Sequence, residues 1–277
     1  MALAVYKLDR SMISAIIPTY RNPICLDICL DSALKGMSET TTEIICIVDG
    51  FVDESEEIIS KYKGQVKFLK LDENCGMQRA LNIGVMNASG DTIFIVNDDN
   101  VFPEQWDTLL HRQMQLDWVD IVTVNQIERT ESIFGFHVAD YGSPETFNYD
   151  AFVAGEKDFR EDRFTTKGSI FPFAMSKRNY MMLGGFDEMY PSPFVCDWDF
   201  FLKCDLAGLE SIRTYRLSMY HFGSVATKNS AEADKFAEGE LQAAGTFQYK
   251  WGFDPLVNPD DYSRTPKGKT IKGISYD

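Results

Sequence analysis

The stretch Thr92-Ile93-Phe94-Ile95-Val96-Asn97-Asp98-Asp99-Asn100 breaks from an apolar, β-branched run into two adjacent carboxylates flanked by amides. An apolar run without alternation predicts a strand covered on both faces, as in a parallel sheet. In open α/β sheets, ligands bind beyond the carboxyl ends of such strands, where Asp98 and Asp99 fall. Two carboxylates side by side repel each other unless a proton or a cation lies between them. Mg²⁺ and Mn²⁺ take oxygen ligands, often one or two carboxylates, with substrate phosphates completing the shell. The stretch therefore has two readings. One is a metal–diphosphate site; the other is an acidic turn closing the strand, because Asn and Asp are common turn residues.

The sequence before it repeats a strand–helix alternation. Met12-Ile13-Ser14-Ala15-Ile16-Ile17 reads as the first strand, and Pro18, which cannot donate to a ladder, belongs at its end. Cys25, Ile28, Cys29 and Ala33 follow at helical spacing. Residues 43–48 form a second apolar strand, ending in Asp49-Gly50, and the acidic run Asp53-Glu54-Ser55-Glu56-Glu57 suits the first turn of a helix. Residues 66–71 read as a third strand and 76–88 as a helix, with Ser89-Gly90-Asp91 turning the chain into the acidic strand. The repetition predicts a doubly wound α/β layer. The loop after the first strand, Pro18-Thr19-Tyr20-Arg21-Asn22, holds no glycine, and no GxxxxGK(S/T) loop is present. A metal is then the better candidate for holding phosphate than a Gly-rich cradle.

Past Trp106 the pattern loosens, with a further strand over Ile121-Val122-Thr123-Val124. Residues 126–167 are polar, aromatic and aperiodic, and no regular element is predicted in them. Their aromatics favour an ordered, substrate-facing insertion over a linker. Residues 169–175 resume strand character, followed by a short helix over 177–183 and a sharp turn at Gly184-Gly185-Phe186-Asp187-Glu188. A helix is predicted from Cys196 to Ala207 with Gly208 as its stop. Its Asp197 and Asp199 are either functional or simply partners of the helix dipole. His221, after an apolar strand over 217–220, is either a hydrogen-bonded structural histidine or a metal ligand beside carboxylates. Residues 231–250 read as a helix and 264–277 as a mobile tail.

The 277 residues, 44% hydrophobic and 13% aromatic, suffice for one large domain or two small ones. A formal net charge of −15 disfavours a nucleic-acid partner but not a nucleotide that arrives with its own cation. Six scattered cysteines without a CxxC pair predict buried free thiols in a reducing compartment rather than a zinc site. No signal peptide and no run near the length of a membrane span is present, which predicts a soluble, cytoplasmic protein.

Together these pieces resemble the inverting family 2 glycosyltransferases of the GT-A fold, over roughly Met12 to Gly252. The carriers are residues 15–22, the strand 43–49 with Asp53 and Ser55, and Asn74-Cys75-Gly76 with Ala80 and Asn82. They continue through Asn97-Asp98-Asp99 at the place of the DxD motif, Gly184-Gly185-Phe186-Asp187-Glu188, Cys196-Asp197-Trp198-Asp199, His221 and Lys250-Trp251-Gly252. The resemblance implies an α/β chain with a single, mostly parallel central sheet flanked by helices. Residues 1–225 would form the catalytic domain, with a nucleotide-binding half (12–105) and an acceptor half (106–225). Residues 226–277 would be a helical extension and tail.

By the same resemblance, Thr19, Tyr20 and Asp49 hold the base of a nucleotide-diphosphate sugar, and Asp98 lies near its ribose and diphosphate. Pro18, Asn22, Asn74, Gly76, Arg79 and Asn97 join that site. Asp99 and His221 ligate Mn²⁺ or Mg²⁺. Asp197 is the general base for an acceptor hydroxyl on a glycan, glycoprotein or glycolipid, with Gly185, Trp198 and Asp199 on the acceptor side. Trp198 serves equally as a sugar platform or a core indole, and the 126–167 insertion is expected to help bind acceptor. Oligomeric state stays open, a homodimer being one option. Two positions depart from the pattern. Asn97 replaces the first aspartate of DxD, as in branches similar to rhamnosyltransferases. Cys196 replaces a glutamate, a role left to Asp199 or Glu188. A catalytically impaired nucleotide-sugar or glycan binder and a sugar-phosphate nucleotidyltransferase are the alternatives. The latter would show a Gly-rich, basic loop after the first strand.

Overall fold

Strand β1 (Ile13–Thr19) sends Ile13, Ala15 and Ile17 into one core and Ile16 into another. Successive strand side chains point to opposite faces, so a strand buried along its whole length needs cover on both sides. The computed structural model, which describes residues 12–38, 42–50, 52–132, 134–166, 168–223, 233–254 and 270–272, supplies that cover as helical layers. After β1 come α1 (Pro23–Gly36), β2 (Thr42–Asp49), α2 (Glu56–Lys61), β3 (Lys67–Leu71), α3 (Met77–Met86), β4 (Thr92–Ile95), β5 (Asn100–Val101) and α4 (Trp106–Met114). The chain continues through β6 (Ile121–Glu128), β7 (His137–Val138), α5 (Tyr149–Glu156), β8 (Arg163–Thr165), β9 (Phe173–Ser176), α6 (Lys177–Met182), α7 (Cys196–Leu206), β10 (Ser211–His221), α8 (Ala233–Trp251) and β11 (Thr270–Lys272).

Among the described residues the strands form one sheet in the order β11-β8-β10-β6-β9-β4-β1-β2-β3, with β5 on β10 and β7 on β6. Strands β3, β2, β1 and β4 are mutually parallel. Strand β9 opposes both β4 and β6, so β6 runs with β4, and β10 is parallel to β6. The carboxyl ends of β1, β2, β4, β6 and β10 therefore lie along one edge, as expected of a mostly parallel sheet.

One core packs Leu26, Cys29, Leu30 and Ala33 of α1 and Trp106 and Leu110 of α4 against the sheet. Trp106 is fully buried, stacks on Phe94 and donates its indole N–H to the Ala33 carbonyl at 2.9 Å. The other core packs Ala80, Leu81 and Val85 of α3 with Tyr180, Phe186, Phe200, Ala243 and Phe247. Helix α3 approaches closely because position 84 is glycine. A Cβ there would lie 2.6 Å from both Ile16 Cγ2 and Ile47 Cδ1. No helix among the described residues is long and apolar enough to cross a membrane.

Several expectations need correction. The loosened pattern after Trp106 hides α4, whose Trp106, Leu109, Leu110 and Met114 face the first core. The 126–167 stretch is not devoid of regular structure. It extends β6 to Glu128 and contributes β7, α5 and β8. Its aromatics follow no period because Tyr141, Phe147 and Phe152 gather around Tyr220 rather than on a regular face. Strand β9 is shorter than residues 169–175, beginning after Pro172, which has no N–H for a ladder. In the expected mobile tail, Thr270–Lys272 instead pairs with the open edge of β8. The rest of that tail, and the expected 225/226 boundary, lie outside the described residues.

Replacing Gly84 by valine overfills the α3–sheet contact and should destabilise the fold by about 1–3 kcal/mol. The measurement is the urea midpoint; an unchanged midpoint would show that the contact is looser than described.

Candidate active site

Strand β4 stops at Ile95 and β5 begins at Asn100, so the acidic pair sits in the turn between them. Two side chains from the end of β1 and the start of α1 hold Asp98. The Thr19 hydroxyl donates to Asp98 Oδ2 at 2.6 Å, and the Asn22 amide donates to Oδ1 at 3.1 Å. Burial, and then the adjacent Asp99 charge, push the Asp98 carboxyl up to about 7, while the Thr19 and Asn22 hydrogen bonds pull it down. A carboxylate in that state gains from a nearby cation.

Asp99 meets a histidine 122 positions away because β5 pairs antiparallel with β10, placing His221 opposite Asn100. The Phe222 N–H donates to the Asp99 carbonyl at 3.1 Å and fixes the same junction. His221 Nε2 lies 3.3 Å from Asp99 Oδ2, and its Nδ1 lies 2.7 Å from Glu128 Oε1. Burial opposes charge on this imidazole, but Asp99 and Glu128 outweigh it and raise the group to about 10.

This donor set fits a hard divalent cation. Two neighbouring ligands of an octahedral ion, each at about 2.1 Å, stand about 3 Å apart, close to the 3.3 Å between Asp99 Oδ2 and His221 Nε2. The buried Asn97 Oδ1 has no hydrogen-bond partner among the described residues and is a further oxygen in this turn. No group of three or more His, Cys, Asp or Glu side chains forms a cage among the described residues. The shell of such an ion would be completed from the substrate.

Asp49, at the end of β2, has a different setting from the one expected. It is buried, and its two oxygens accept the backbone N–H groups of Cys75 at 2.7 Å and Gly76 at 3.0 Å. The carboxylate thus shapes the Asn74–Gly76 loop. Gly50 permits that approach, since its φ is +75° and a Cβ would lie 2.7 Å from the Asn74 nitrogen. Beyond Gly76, Arg79 stands exposed on the first turn of α3 and makes no ion pair with the described residues. Pro18, within β1, and Tyr20, just past it, flank Thr19 at the same sheet edge.

The residues expected on the acceptor side lie in a glycine turn and on α7, and α3 braces both. Asn82 is the hub. Its amide donates to the Phe186 carbonyl at 2.9 Å and to Glu188 at 3.0 Å. Its oxygen accepts the Tyr180 hydroxyl at 2.7 Å and the Phe186 N–H at 3.0 Å. Gly185 is required here: its φ is +67° and a Cβ would lie 2.4 Å from Asn82 Oδ1. Gln78, one helical turn earlier, donates to the carbonyls of Tyr190 and Ser192 and fixes the approach to α7. Val195 precedes that helix in the left-handed region, φ +53°, which is strained for a β-branched residue. Asp197 then lies in the first turn, buried, with Oδ1 accepting the Trp198 N–H at 3.0 Å.

Asp199 does not suit the acceptor contact expected of it. It is fully buried, and Oδ1 takes Tyr190 OH at 3.0 Å, Trp251 Nε1 at 2.9 Å and Lys250 Nζ at 2.7 Å. Lys250 also bridges to Asp187 at 2.5 Å, so the pair latches the end of α8 onto α7 and the glycine turn. Trp198 is half-buried and packs against the second core. The sequence does not single out Glu128, because the strand it predicts ends at Val124, whereas β6 continues through Asn125-Gln126-Ile127-Glu128.

A family profile described as "Glycosyl transferase family 2" matches residues 14–182. The chain is similar to "Glycosyltransferase GlyG" of Streptococcus pneumoniae serotype 4, 31% identical over 129 residues that cover 46% of this chain and 42% of that protein. It is similar also to "Poly(ribitol-phosphate) beta-N-acetylglucosaminyltransferase TarP" of Staphylococcus aureus, 32% identical over 97 residues, 34% of this chain and 30% of that protein. In each case the match spans less than half the relative's length. Among solved structures, S. aureus TarS 1-349 in complex with UDP-GlcNAc superposes with a TM-score of 0.57 at 14% identity, over 90% of this chain and 75% of that one. GalNAc-T7 with UDP, GalNAc and Mn²⁺ gives 0.64 at 15% identity, over 94% and 52%. At these identities the likeness establishes the fold, which is GT-A.

Removing the hub with Asn82→Ala takes four hydrogen bonds from the glycine turn and should lower stability by about 2–4 kcal/mol. The readout is chemical denaturation of the variant. A loss below about 0.5 kcal/mol would mean that the turn is held by its own backbone.

Proposed function

The chain belongs to glycosyl transferase family 2, and from that premise we propose that it moves a sugar from a nucleoside-diphosphate sugar to an acceptor hydroxyl, with inversion at the anomeric carbon. The observation that carries the reading is the shared sheet edge. It brings Asp98, tied to Thr19 and Asn22, beside Asp99, His221 and the Asp49-shaped loop. That convergence favours a site for a cation with its anionic ligand over a strand cap.

Each group then has a task. Asp98 orients the ribose and diphosphate, and Thr19 and Asn22 keep its carboxylate aimed. Tyr20 and the Asn74–Gly76 loop, held by Asp49, flank the base, and the exposed Arg79 faces the phosphates as a mobile cation. Asp99 and His221 would hold Mn²⁺ or Mg²⁺, with Asn97 alongside. When bound, that ion supplies Lewis-acid charge to a leaving diphosphate. On the other side of the sugar, Asp197 takes the proton of the acceptor hydroxyl as its oxygen bonds to the anomeric carbon. The bond to the diphosphate breaks as that one forms, so one base suffices and the configuration inverts. At the start of α7 the Trp198 N–H holds the Asp197 carboxylate in place. The acceptor is a hydroxyl of a glycan, glycoprotein or glycolipid; the relative TarP is named for another hydroxyl-bearing acceptor, poly(ribitol-phosphate). UDP, present with TarS and GalNAc-T7, is the first nucleotide to test.

Thermal unfolding should be followed with UDP, GDP, dTDP and CMP, each with and without Mn²⁺. One nucleotide should stabilise the protein only with the metal, by about 2.7 kcal/mol at 100 times its dissociation constant. No stabilisation by any of them would remove the donor-site reading. With the matching donor, Asp197→Asn should retain the Trp198 N–H contact and the melting temperature while turnover falls by about 10²–10⁴-fold. Turnover that survives the change would show that another group is the base.

A further inference from the structure

Glu128, at the end of β6, is half-buried and turned toward a neighbouring strand. Its side chain is 18% exposed, and among the described residues its carboxylate has a single hydrogen-bond partner, His221 Nδ1 at 2.7 Å. A carboxyl group partly withdrawn from water at the end of an apolar strand loses hydration, and a single partner seldom makes up for that loss. The position is nevertheless set by rigid elements. The parallel register aligns Tyr220 with Ile127, so His221 and Glu128 come level on one face of adjacent strands. Glu128 is clamped on its other side by β7, where it pairs with Val138 and its carbonyl accepts the Ala139 N–H at 3.0 Å. His221 is clamped in turn by Asn100.

We propose that Glu128 is the positioning residue of this site, fixing the ring of His221 so that Nε2 faces Asp99. The proposal rests on the reading of Asp99 and His221 as cation ligands. A carboxylate only accepts, so the proton between the two side chains belongs to Nδ1. With Nδ1–H committed to Glu128, the ring cannot flip, and Nε2 is the nitrogen left to face the cation site. The carboxylate also raises the basicity of that nitrogen as a ligand. The 126–167 segment gains a role through this contact. It departs directly after Glu128 and returns as β7 on the same residue, so its packing around Tyr220 and the aim of His221 are coupled.

The test uses the full chain, with Glu128→Ala and Glu128→Gln. The sequence has three histidines, so the long-range ¹H–¹⁵N imidazole spectrum of the metal-free protein is assignable with His221→Ala as the blank. The wild type and Glu128→Gln, whose amide oxygen still accepts, should show a slowly exchanging His221 Nδ1–H. Glu128→Ala should lose it. Mn²⁺ binding in the presence of UDP, followed by the electron paramagnetic resonance of the free ion, should weaken about 10–100-fold in Glu128→Ala. It should be largely restored in Glu128→Gln. If the alanine variant does not fold, Glu128→Asp keeps the charge but not the reach, and the same loss is expected. Wild-type Mn²⁺ affinity in Glu128→Ala or Glu128→Asp would overturn the proposal while leaving the cation site intact. Wild-type protein that binds no Mn²⁺ with UDP would overturn the cation reading and the proposal with it.

Discussion

The rest of the structure answers to the repulsion between two consecutive carboxylates in a dry turn. Asp98 and Asp99 are covalent neighbours, and neither can move away from the other. At low effective dielectric, two such charges destabilise the fold unless each has its own partner. The chain divides them. Asp98 is turned toward β1 and α1, where Thr19 and Asn22 supply neutral donors, and Asp99 is turned toward β10, where His221 supplies an imidazole. The arrangement quiets the repulsion without cancelling it, which is why the turn is the place proposed for a cation.

That division depends on sheet direction. The reversed strand β9 lies between β4 and β6 and opposes both, so the β6–β10 pair shares the orientation of β1, β2 and β4. Because the pair does share it, Glu128 and His221 arrive at the edge already occupied by Thr19, Asp49 and the acidic turn. Strand β5 then joins the acidic turn to β10 by pairing Asn100 with His221. Positions far apart in the chain become a few ångströms apart through backbone ladders, which hold side chains more firmly than loops do.

The second half of the site is arranged by polar groups within the other core. Asn82 and Gly185 set the glycine turn, Gln78 sets the segment before α7, and Asp199 with Lys250 and Trp251 ties α8 to both. Asp199 and Asp197 are two positions apart on one helical turn and have different fates for that reason. Their side chains point about 200° apart around the helix axis, so Asp199 enters the core as Asp197 stays at the helix start.

The amino-acid sequence by itself determined the α/β class, the parallel strands β1 to β4 and the chemical character of the acidic turn. Those follow from local rules: apolar runs need cover on both faces, and carboxylates stop them. It also picked out Thr19, Asn22, Asp98, Asp99 and His221 as candidate site residues through an ordered set of motifs, and the structure gathers them at one sheet edge. Only the tertiary structure decided what each of the predicted acids meets. Asp49 and Asp199 carry the same side chain as Asp98 and Asp99, and no local signal separates them. The difference is made by distant donors, the Cys75 and Gly76 amides in one case and Tyr190, Lys250 and Trp251 in the other. Glu128 belongs to the same category, since its meaning depends on the register between β6 and β10. Local order is written in short-range periodicity, whereas a partner brought in by strand pairing across nearly a hundred residues is not.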